Sequence, residues 1–491
     1  MPAEGEFREK RWQALILLCS AQFVVVLDAS IVNVALPSIG EGLNFSQDNL
    51  TWVVNAYVLT FGGFLLLGGR MADLLGRRRV FLSGLALVAV ASLAAGFAAN
   101  EGQLIAARAA QGLGAAIISP SALSIITNLF TDGAERNKAL GVWGAVAGSG
   151  GAAGVLLGGI LTDGLGWEWV LWINVPVATI VALLTPYVVG ESRSTSATRN
   201  FDTLGAISVT ASLTVLVYTL VEATEVGWGS VQTLGMLGLS AALMAAFVAI
   251  ELRSAAPLVP FRIFRMRTLT GANVVGLLIG ASLFSMFFFI SLYMQQVLGY
   301  SAIKAGLSYL PLALTIIVAA GVGSTLVTRI GFKPVLATGM VSIAIGLLWF
   351  SQVSVGGGFL TDVLGPSLFA AVGLGFGFVT STIAAVSGVQ EKESGLASGL
   401  INTSQQIGGA IGLAVLATIA NSRTADVMAS NGGDPAQLTN ALTEGFQRAF
   451  LGGAGFAILG LILTLVLIRS RDSRAHVEIG AAEAEPEPAR A

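Results

Sequence analysis

The stretch "VVVLDASIVNVALPS" (residues 24–38) places a carboxylate, Asp28, inside an apolar run that extends from about Trp12 to Pro37. A run of this length is enough to cross a bilayer as a helix, which needs about 20 apolar residues. On insertion scales, an aspartate at the centre of such a helix makes membrane insertion less favourable by roughly 2.5 to 3.5 kcal/mol. The stretch therefore predicts a membrane helix, and it also predicts that the carboxylate is paired with another group or has a function.

Composition extends this prediction to the whole chain. The protein has 491 residues, of which 54% are hydrophobic and only 11% are charged, and its mean hydropathy is +0.80. Soluble domains carry about 25% charged residues, and so little polar material cannot cover a globular surface of this size. We therefore predict an all-helical membrane protein that crosses the bilayer many times. The net charge of −2 gives no indication of nucleic acid binding, and we expect none.

Apolar segments separated by short polar clusters predict fourteen membrane spans. Glycine, proline and serine inside a segment do not exclude it, because membrane helices tolerate these residues. The predicted spans are residues 12–37, 50–71, 79–98, 103–127, 138–162, 168–190, 204–222, 231–252, 270–297, 304–327, 334–354, 362–388, 395–420 and 447–469.

Lysine and arginine predict the orientation. With a cytoplasmic N-terminus, most of the 26 basic residues fall on the cytoplasmic side, as the positive-inside rule requires. An odd number of spans would remove this asymmetry. We therefore expect a multi-pass protein of the cell membrane, with both termini in the cytoplasm.

Two similar loops indicate an internal repeat. "GGRMADLLGRRRV" (68–80) and "GSTLVTRIGFKPV" (323–335) each place a glycine and bases between two spans. Repeated halves of this kind are typical of transporters, with the substrate site at their interface. The predicted organisation is a cytoplasmic N-terminus (1–11), a six-helix bundle (12–190), two extra helices with their loops (191–269), a second six-helix bundle (270–469) and a disordered, acidic tail (470–491).

The sequence offers little that an enzyme would use. It has no phosphate-binding G-x-x-x-x-G-K-[ST] loop, its single histidine, His476, is in the tail, and its single cysteine excludes a cysteine pair. The glycine-rich "GLGFGF" (373–378) lies inside a span, where glycines favour close helix packing. We therefore predict no enzyme activity, no metal and no cofactor, with an ion gradient as the energy source. A non-transporting membrane receptor remains the alternative from another class.

One acid, Asp28, and one base, Arg108, lie within the predicted spans away from their ends. At 1.5 Å per residue, Asp28 is roughly 13 Å and Arg108 roughly 8 Å below the outer ends of their helices. The two could therefore interact if the helices are neighbours. One interpretation is a structural ion pair that holds two helices together. The other, which we favour, is a site for a proton or a cation, because intramembrane charges are usually functional.

Several motifs resemble those of one family. "LDASIVNVALP" (27–37) is similar to the first-helix signature of the fourteen-span drug:proton antiporters of the major facilitator superfamily, with Ser30 in place of threonine. "GRMADLLGRRR" (69–79), "RAAQGLGAA" (108–116), "WINVP" (172–176) and "LYMQQVLGYSAIKAGLSYLP" (292–311) also resemble motifs of this branch. The resemblance covers about residues 12–470.

The resemblance assigns roles to particular residues. It implies proton coupling or substrate charge for Asp28 and Arg108. It implies a conformational gate made by Gly69, Asp73, Gly76, Arg77 and Arg78. Within this gate we expect Asp73 to accept hydrogen bonds from a neighbouring helix N-terminus, whose dipole favours an anion, and Arg77 to bridge to another acid.

The antiport motif on the fifth helix normally reads G-P-x-x-G-G. Here Val155 stands at the proline position. Proline kinks a helix, so this helix is expected to be straighter than usual. The glycines of this helix, which permit close packing, are Gly148, Gly154, Gly158 and Gly159.

Together these observations predict a proton-coupled exporter of small amphiphilic drugs or antibiotics that works by alternating access. A dedicated exporter of one endogenous metabolite is the alternative within transport. We expect a monomer in the lipid bilayer and lipophilic substrates that are monocationic or neutral. The candidates for the substrate cavity are Asn33, Tyr57, Gln111, Phe284, Phe288, Tyr293, Asn402 and Gln405.

Overall fold

The computed structural model describes residues 10–45, 47–50, 52–131, 133–192, 202–254, 257–390, 393–475 and 477. Within these residues there is no strand, and 14 helices are long and apolar enough to cross a membrane. We number them α1 (Arg11–Leu43), α2 (Trp52–Leu75), α3 (Arg77–Gly96), α4 (Glu101–Leu129), α5 (Gly133–Leu165), α6 (Trp169–Val188), α7 (Leu204–Ala223), α8 (Val231–Arg253), α9 (Arg267–Val297), α10 (Ile303–Ile330), α11 (Phe332–Phe350), α12 (Phe359–Val386), α13 (Ser394–Ser430) and α14 (Pro435–Leu467). The protein is therefore the all-helical, fourteen-span membrane protein that the sequence predicts.

The fourteen helices form two sets with a hairpin between them. Helices α1–α6 pack against one another, as do α9–α14, and the two sets meet mainly along α5–α10 and along α2–α13. In the hairpin α7–α8, α7 packs against α2 and α13 and α8 packs against α7, so the hairpin covers one of these two seams. The grouping follows the predicted halves, whose residue boundaries stay a prediction. We call the end of the molecule at which α1 begins and α2 ends the basic end.

The two repeated loops have the same backbone geometry. A single glycine joins α2 to α3 and another joins α10 to α11, with φ of 109° at Gly76 and 82° at Gly331. Side chains other than glycine rarely adopt a positive φ, so each glycine permits an abrupt reversal at the basic end. The internal repeat that the sequence indicates is thus present at the level of the turn.

Glycines on α5 bring it close to its neighbours. A Cβ at Gly154 would lie 3.0 Å from the Leu27 carbonyl oxygen, and one at Gly158 would lie 2.7 Å from the Ile31 carbonyl oxygen, both on α1. Gly148 faces Ile316 of α10 in the same way, and Gly159 faces Ile303. Because small residues let membrane helices approach closely, α5 packs against both halves. It is one helix from Gly133 to Leu165, with Val155 inside it.

The last two spanning helices are longer than their apolar segments. Helix α13 runs to Ser430 rather than residue 420, and the helical part of α14 begins at Leu438 rather than residue 447. Arg423 and Glu444 form an ion pair of 2.5 Å between the two extensions. Hydropathy predicts only the apolar part of each helix. Beyond that part, the ion pair of Arg423 and Glu444 joins the two polar extensions.

The predicted disorder of the tail is wrong for its first residues. Residues 470–475 are helical, and Ser473 is 2% exposed. Ser473 Oγ accepts a hydrogen bond from the Lys333 backbone N–H at 3.1 Å, and Asp472 accepts one from Thr268 Oγ1 at 2.7 Å. This short segment therefore docks at the basic end of the second half. The rest of the predicted tail, and residues 1–9 of the N-terminus, lie outside the described residues.

The packing of α5 on α1 leads to a stability prediction. Gly154→Leu should lower the thermal unfolding temperature of the purified protein, because overpacking a tight contact costs about 1–3 kcal/mol. The matched control is Gly151→Leu on the same helix, where an added Cβ meets nothing within 4 Å. Equal melting temperatures for both variants would contradict the close approach of α1 and α5.

Candidate functional site

The carboxylate of Asp28 is buried in the first half and accepts three hydrogen bonds from side chains. Arg108 Nη1 lies 2.7 Å from Asp28 Oδ2, while Gln111 Nε2 and Asn174 Nδ2 lie 3.3 Å and 2.6 Å from Oδ1. Asp28 is 2% exposed and Arg108 is 0% exposed. The acid and the base that the sequence predicts at similar depths are therefore direct partners. We call these four residues the Asp28 network.

Arg108 joins further helices to this network. Its Nε donates to the Val53 carbonyl oxygen at 2.9 Å, and its guanidinium carbon lies 4.5 Å from the centre of the Tyr57 ring. Tyr57 in turn donates to the Val25 carbonyl oxygen at 2.9 Å. Gln111 donates to Ser92 Oγ at 2.7 Å. Helices α1, α2, α3, α4 and α6 thus converge on one buried ion pair.

Two members of this arrangement had no assigned role in the sequence analysis. Asn174 belongs to the motif "WINVP", where an amide inside an apolar run is a signal that points to a partner. Ser92 carries no such signal, because serine in a membrane helix often bonds its own backbone. Both become apparent only when α3 and α6 are placed beside α4.

The chemistry of the network depends on the charge of Asp28. When Asp28 is ionised, its charge is compensated by Arg108, whose planar donors hold the carboxylate, the Gln111 side chain and a backbone carbonyl at once. Protonation of Asp28 would leave Arg108 as an uncompensated buried cation, which is strongly unfavourable. The charge of Asp28 therefore maintains these contacts between the helices.

A second buried acid, Asp73, joins the two halves at the basic end. Its carboxylate accepts hydrogen bonds from the backbone N–H groups of Gly395 and Leu396 at 3.2 Å and 3.1 Å, and from Arg77 Nη2 at 3.0 Å. Gly395 and Leu396 are in the first turn of α13, where unpaired N–H groups and the helix dipole favour an anion. The expected contact of Asp73 with a helix N-terminus is therefore present.

Small residues permit this contact. A Cβ at Gly69 would lie 2.6 Å from the Gly395 carbonyl oxygen, and a Cβ at Gly395 would lie 2.6 Å from the Asp73 carboxylate. Ser394, at the start of α13, accepts from Arg77 Nη2 at 3.2 Å and from Asn128 Nδ2 at 3.0 Å. Its hydroxyl also lies 3.0 Å from Ser124 Oγ. Helices α2, α3 and α4 of the first half therefore all contact the start of α13.

The expected bridge from Arg77 to a further acid stays a prediction. Arg77 pairs with Asp73 itself, and its backbone N–H donates to the Ser192 carbonyl oxygen at 2.9 Å. The next acid, Glu191, lies instead beside Arg78 and beside Gly76. Since Arg77 is four residues after Asp73, the turn at Gly76 returns its side chain toward α2 rather than outward.

The remaining cavity candidates are spread over both halves. Asn402 of α13 accepts a hydrogen bond from Ser119 of α4 at 3.4 Å and so lies at the interface of the halves. Gln405, one turn further along α13, is buried, and its Nε2 has no hydrogen-bond partner among the described residues. Phe284 and Phe288 of α9 are 39% and 42% exposed. Asn33 is exposed, with its amide near carbonyl oxygens of its own helix.

Tyr293 is not placed with the Asp28 network. Its buried hydroxyl lies 2.7 Å from the carbonyl oxygen of Ser354, in the connection before α12, and 2.9 Å from Oδ2 of Asp362, in the first turn of α12. This contact fixes a loop of the second half at the end opposite the basic end. In the aromatic stretch of α9, Tyr293 therefore contacts its own half, whereas Phe284 and Phe288 are partly exposed.

Known proteins resemble this chain over most of its length. It is 41% identical to a cephamycin export protein of Amycolatopsis lactamdurans, covering 92% of each chain. It is 37% identical to a puromycin resistance protein of Streptomyces alboniger, covering 97% of this chain and 95% of the relative. The structure of the human organic anion transporter MFSD10 superposes with a TM-score of 0.62 over 94% of this chain and 100% of that one, at 16% identity.

The last likeness concerns the fold alone. The sequence also matches the Major Facilitator Superfamily over residues 18–413, from α1 into α13. This range contains both the Asp28 network and the contact of Asp73 with α13. Together with the two bacterial relatives, the match establishes that the chain belongs to the Major Facilitator Superfamily of membrane transporters.

Proposed function

We propose that the protein is a proton-coupled exporter of small lipophilic antibiotics and drugs, and that it sits in the cell membrane with its basic end in the cytoplasm. The observation that carries the proposal is the Asp28 network, a buried ion pair that holds five helices of one half. Membrane interiors retain such charges at substrate sites and in proton relays. No cofactor other than the proton gradient is required.

Proton movement through Asp28 is the proposed energy source. A proton that enters from outside neutralises the carboxylate and releases Arg108 from it. Arg108 must then find new partners, and the helices around it rearrange. When the proton leaves to the cytoplasm, the ion pair forms again. Substrate transport is coupled to proton movement if the substrate and the proton compete for the same arrangement of these helices. The reason is that a ligand shifts a conformational equilibrium only when it binds one state better than the other.

The contact of Asp73 with the start of α13 is the proposed gate for alternating access. It joins α2 of the first half to α13 of the second. A second link crosses the other seam at the same end, where Asn137 Nδ2 donates to Thr328 Oγ1 at 2.9 Å. We infer that these links close the cytoplasmic side, and that they separate when the cavity opens inward.

Two relatives support antibiotics as the substrate class. Each is named for one antibiotic, cephamycin or puromycin. This favours a second candidate function, the dedicated export of a single metabolite. Resistance profiles of an efflux-deficient bacterial host that expresses the protein separate the two functions: broad protection supports drug export, whereas protection against one compound supports the dedicated exporter.

Asp28→Asn should still insert and fold, with a lower free energy of unfolding because Arg108 loses its counter-charge, but it should lose proton-driven transport. The amide keeps the shape of the side chain and cannot exchange a proton, and it removes the counter-charge of Arg108. In liposomes with an imposed pH gradient, uptake of ethidium should fall to the level of empty liposomes. The matched control is Asp163→Asn, which changes an exposed acid on α5. Wild-type transport against a gradient by Asp28→Asn would show that the carboxylate is structural.

Asp73→Asn should slow the transport cycle more than it weakens substrate binding. Hydrogen bonds to a charged group contribute about 1.5–3 kcal/mol each, so their loss shifts the balance between the two access states. Transport rate in liposomes should therefore fall while ethidium affinity in detergent changes little. Arg79→Gln, at a 74% exposed side chain in the first turn of α3, is the control and should leave both unchanged. A large loss of affinity with normal turnover would make Asp73 a binding residue.

Substrate charge can also be predicted. In helices α9–α14, the described acids Asp362, Asp426 and Glu444 lie near the end opposite the basic end. Asp28 is the deep acid, and it is already paired. An uncompensated buried charge is very costly, so a dication would need about two carboxylates. Aromatic faces such as Phe284 attract a monocation by about 0.5–2 kcal/mol. We therefore expect monocations and neutral drugs to be exported.

The measurement is the resistance of an efflux-deficient host to matched mono- and diquaternary ammonium compounds. Expression of the protein should protect against the monoquaternary member more strongly. The vector without the gene is the control for host permeability. Stronger protection against the diquaternary member would contradict the expected substrate charge and would require a second acidic group in the cavity.

A further inference from the structure

The two seams between the halves differ in what covers them. The hairpin α7–α8 lies along the seam of α2 and α13. The seam of α5 and α10 has instead a groove of about 620 Å³ that both helices line. Exposed apolar side chains next to this groove, Leu314, Val318 and Val322, belong to α10 and mark a face that meets lipid. In a membrane, a groove beside such a face can be reached from the bilayer.

The groove has a cationic end and an apolar body. Lys138, in the second turn of α5, and Arg329, in the last turn of α10, line it at the basic end. Val142, Val146 and Ile317 line it deeper in the membrane. Val146 is eight residues beyond Lys138, which places it about 12 Å further along the helix. Small residues, among them Gly321, leave the space between the helices open.

The two cations are available to an anionic ligand. Both side chains are exposed, and Glu135, the acid nearest to Lys138 in the described sequence, is engaged by Arg11 at 2.8 Å. The Lys138 ammonium lies 5.1 Å from the centre of the Trp12 ring, a contact that leaves its charge uncompensated. Among the residues that the structure describes, no carboxylate forms an ion pair with Arg329. The cationic end of the groove thus has a net positive charge.

We propose that this groove binds an anionic glycerophospholipid of the cytoplasmic leaflet. The headgroup phosphate lies between Lys138 and Arg329, and one acyl chain follows Val142, Val146 and Ile317 into the membrane. Four hydroxyl side chains also line the groove, and each donates its proton to a carbonyl oxygen of its own helix rather than to a polar solute: Ser149, Ser324, Thr325 and Thr328. A peptide would leave backbone groups unpaired in the groove. A phospholipid matches both parts, and anionic lipids attract basic residues near the membrane surface.

Such a lipid would contact both halves at once. The groove lies next to the Asn137–Thr328 hydrogen bond that crosses the same seam. Separation of α5 and α10 at the basic end would pull Lys138 away from Arg329 and divide the lipid site. A lipid held in the groove therefore favours the state in which these helices are together, because it binds that state better.

The test is native mass spectrometry of the detergent-purified full chain titrated with dioleoyl-phosphatidylglycerol or with dioleoyl-phosphatidylcholine. The wild type should bind the anionic lipid more tightly. Replacing both cations, Lys138→Gln with Arg329→Gln, should weaken phosphatidylglycerol binding about 25-fold, at about fivefold for each cation near a membrane surface. Arg265→Gln, at an exposed arginine outside the groove, is the control and should bind like the wild type.

A second variant tests the apolar body separately. An added Cβ at Gly321 meets nothing within 4 Å, so Gly321→Leu fills the groove without disturbing the fold. It should reduce binding of both lipids, whereas Gly455→Leu, at an equally open glycine of α14, should reduce neither. Unchanged phosphatidylglycerol binding in both the double variant and Gly321→Leu would overturn the proposal. Displacement of the lipid by ethidium would also overturn it, because the groove would then be part of the substrate path.

Discussion

The ion pair between Asp28 and Arg108 is the interaction on which the first half of the molecule depends. Two charges at this depth are unfavourable alone, and each compensates the other only when α1 and α4 are correctly placed. Gln111, Asn174 and the Val53 carbonyl oxygen satisfy the remaining donors and acceptors. The requirement to pair these groups therefore positions five helices at once.

The basic end uses a related principle with a different partner. Asp73 is a buried anion whose charge is met by Arg77 and by the first backbone N–H groups of α13. Because a helix N-terminus can be reached only at close range, the contact depends on glycines at the crossing of α2 and α13. Both halves also meet along α5 and α10, where packing is close but a groove remains. One seam is covered by α7, whereas the other contains the groove.

Much of this arrangement follows from local features of the chain. Apolar runs of sufficient length predict each of the fourteen helices, because a membrane span must bury its backbone polar groups in its own hydrogen bonds. The glycines at the two repeated turns and the acid and base at similar depths are also apparent in the sequence. Ser92 was not, since its partner Gln111 lies on another helix. Tyr293 was predicted for the cavity on its aromatic character, yet its hydroxyl bonds a loop of its own half.

The sequence by itself determined the class of the protein, the number and approximate depth of its helices, and the residues at which a charge must be accommodated. These properties depend on hydropathy and on neighbours a few positions away. Only the tertiary structure decided which helices are adjacent, where Arg77 turns, how far α13 and α14 extend, and which seam contains a groove. Those properties depend on contacts between residues far apart in the chain. The apolar faces of membrane helices can pack against one another in many ways, and hydrogen bonds between polar groups select one of these arrangements.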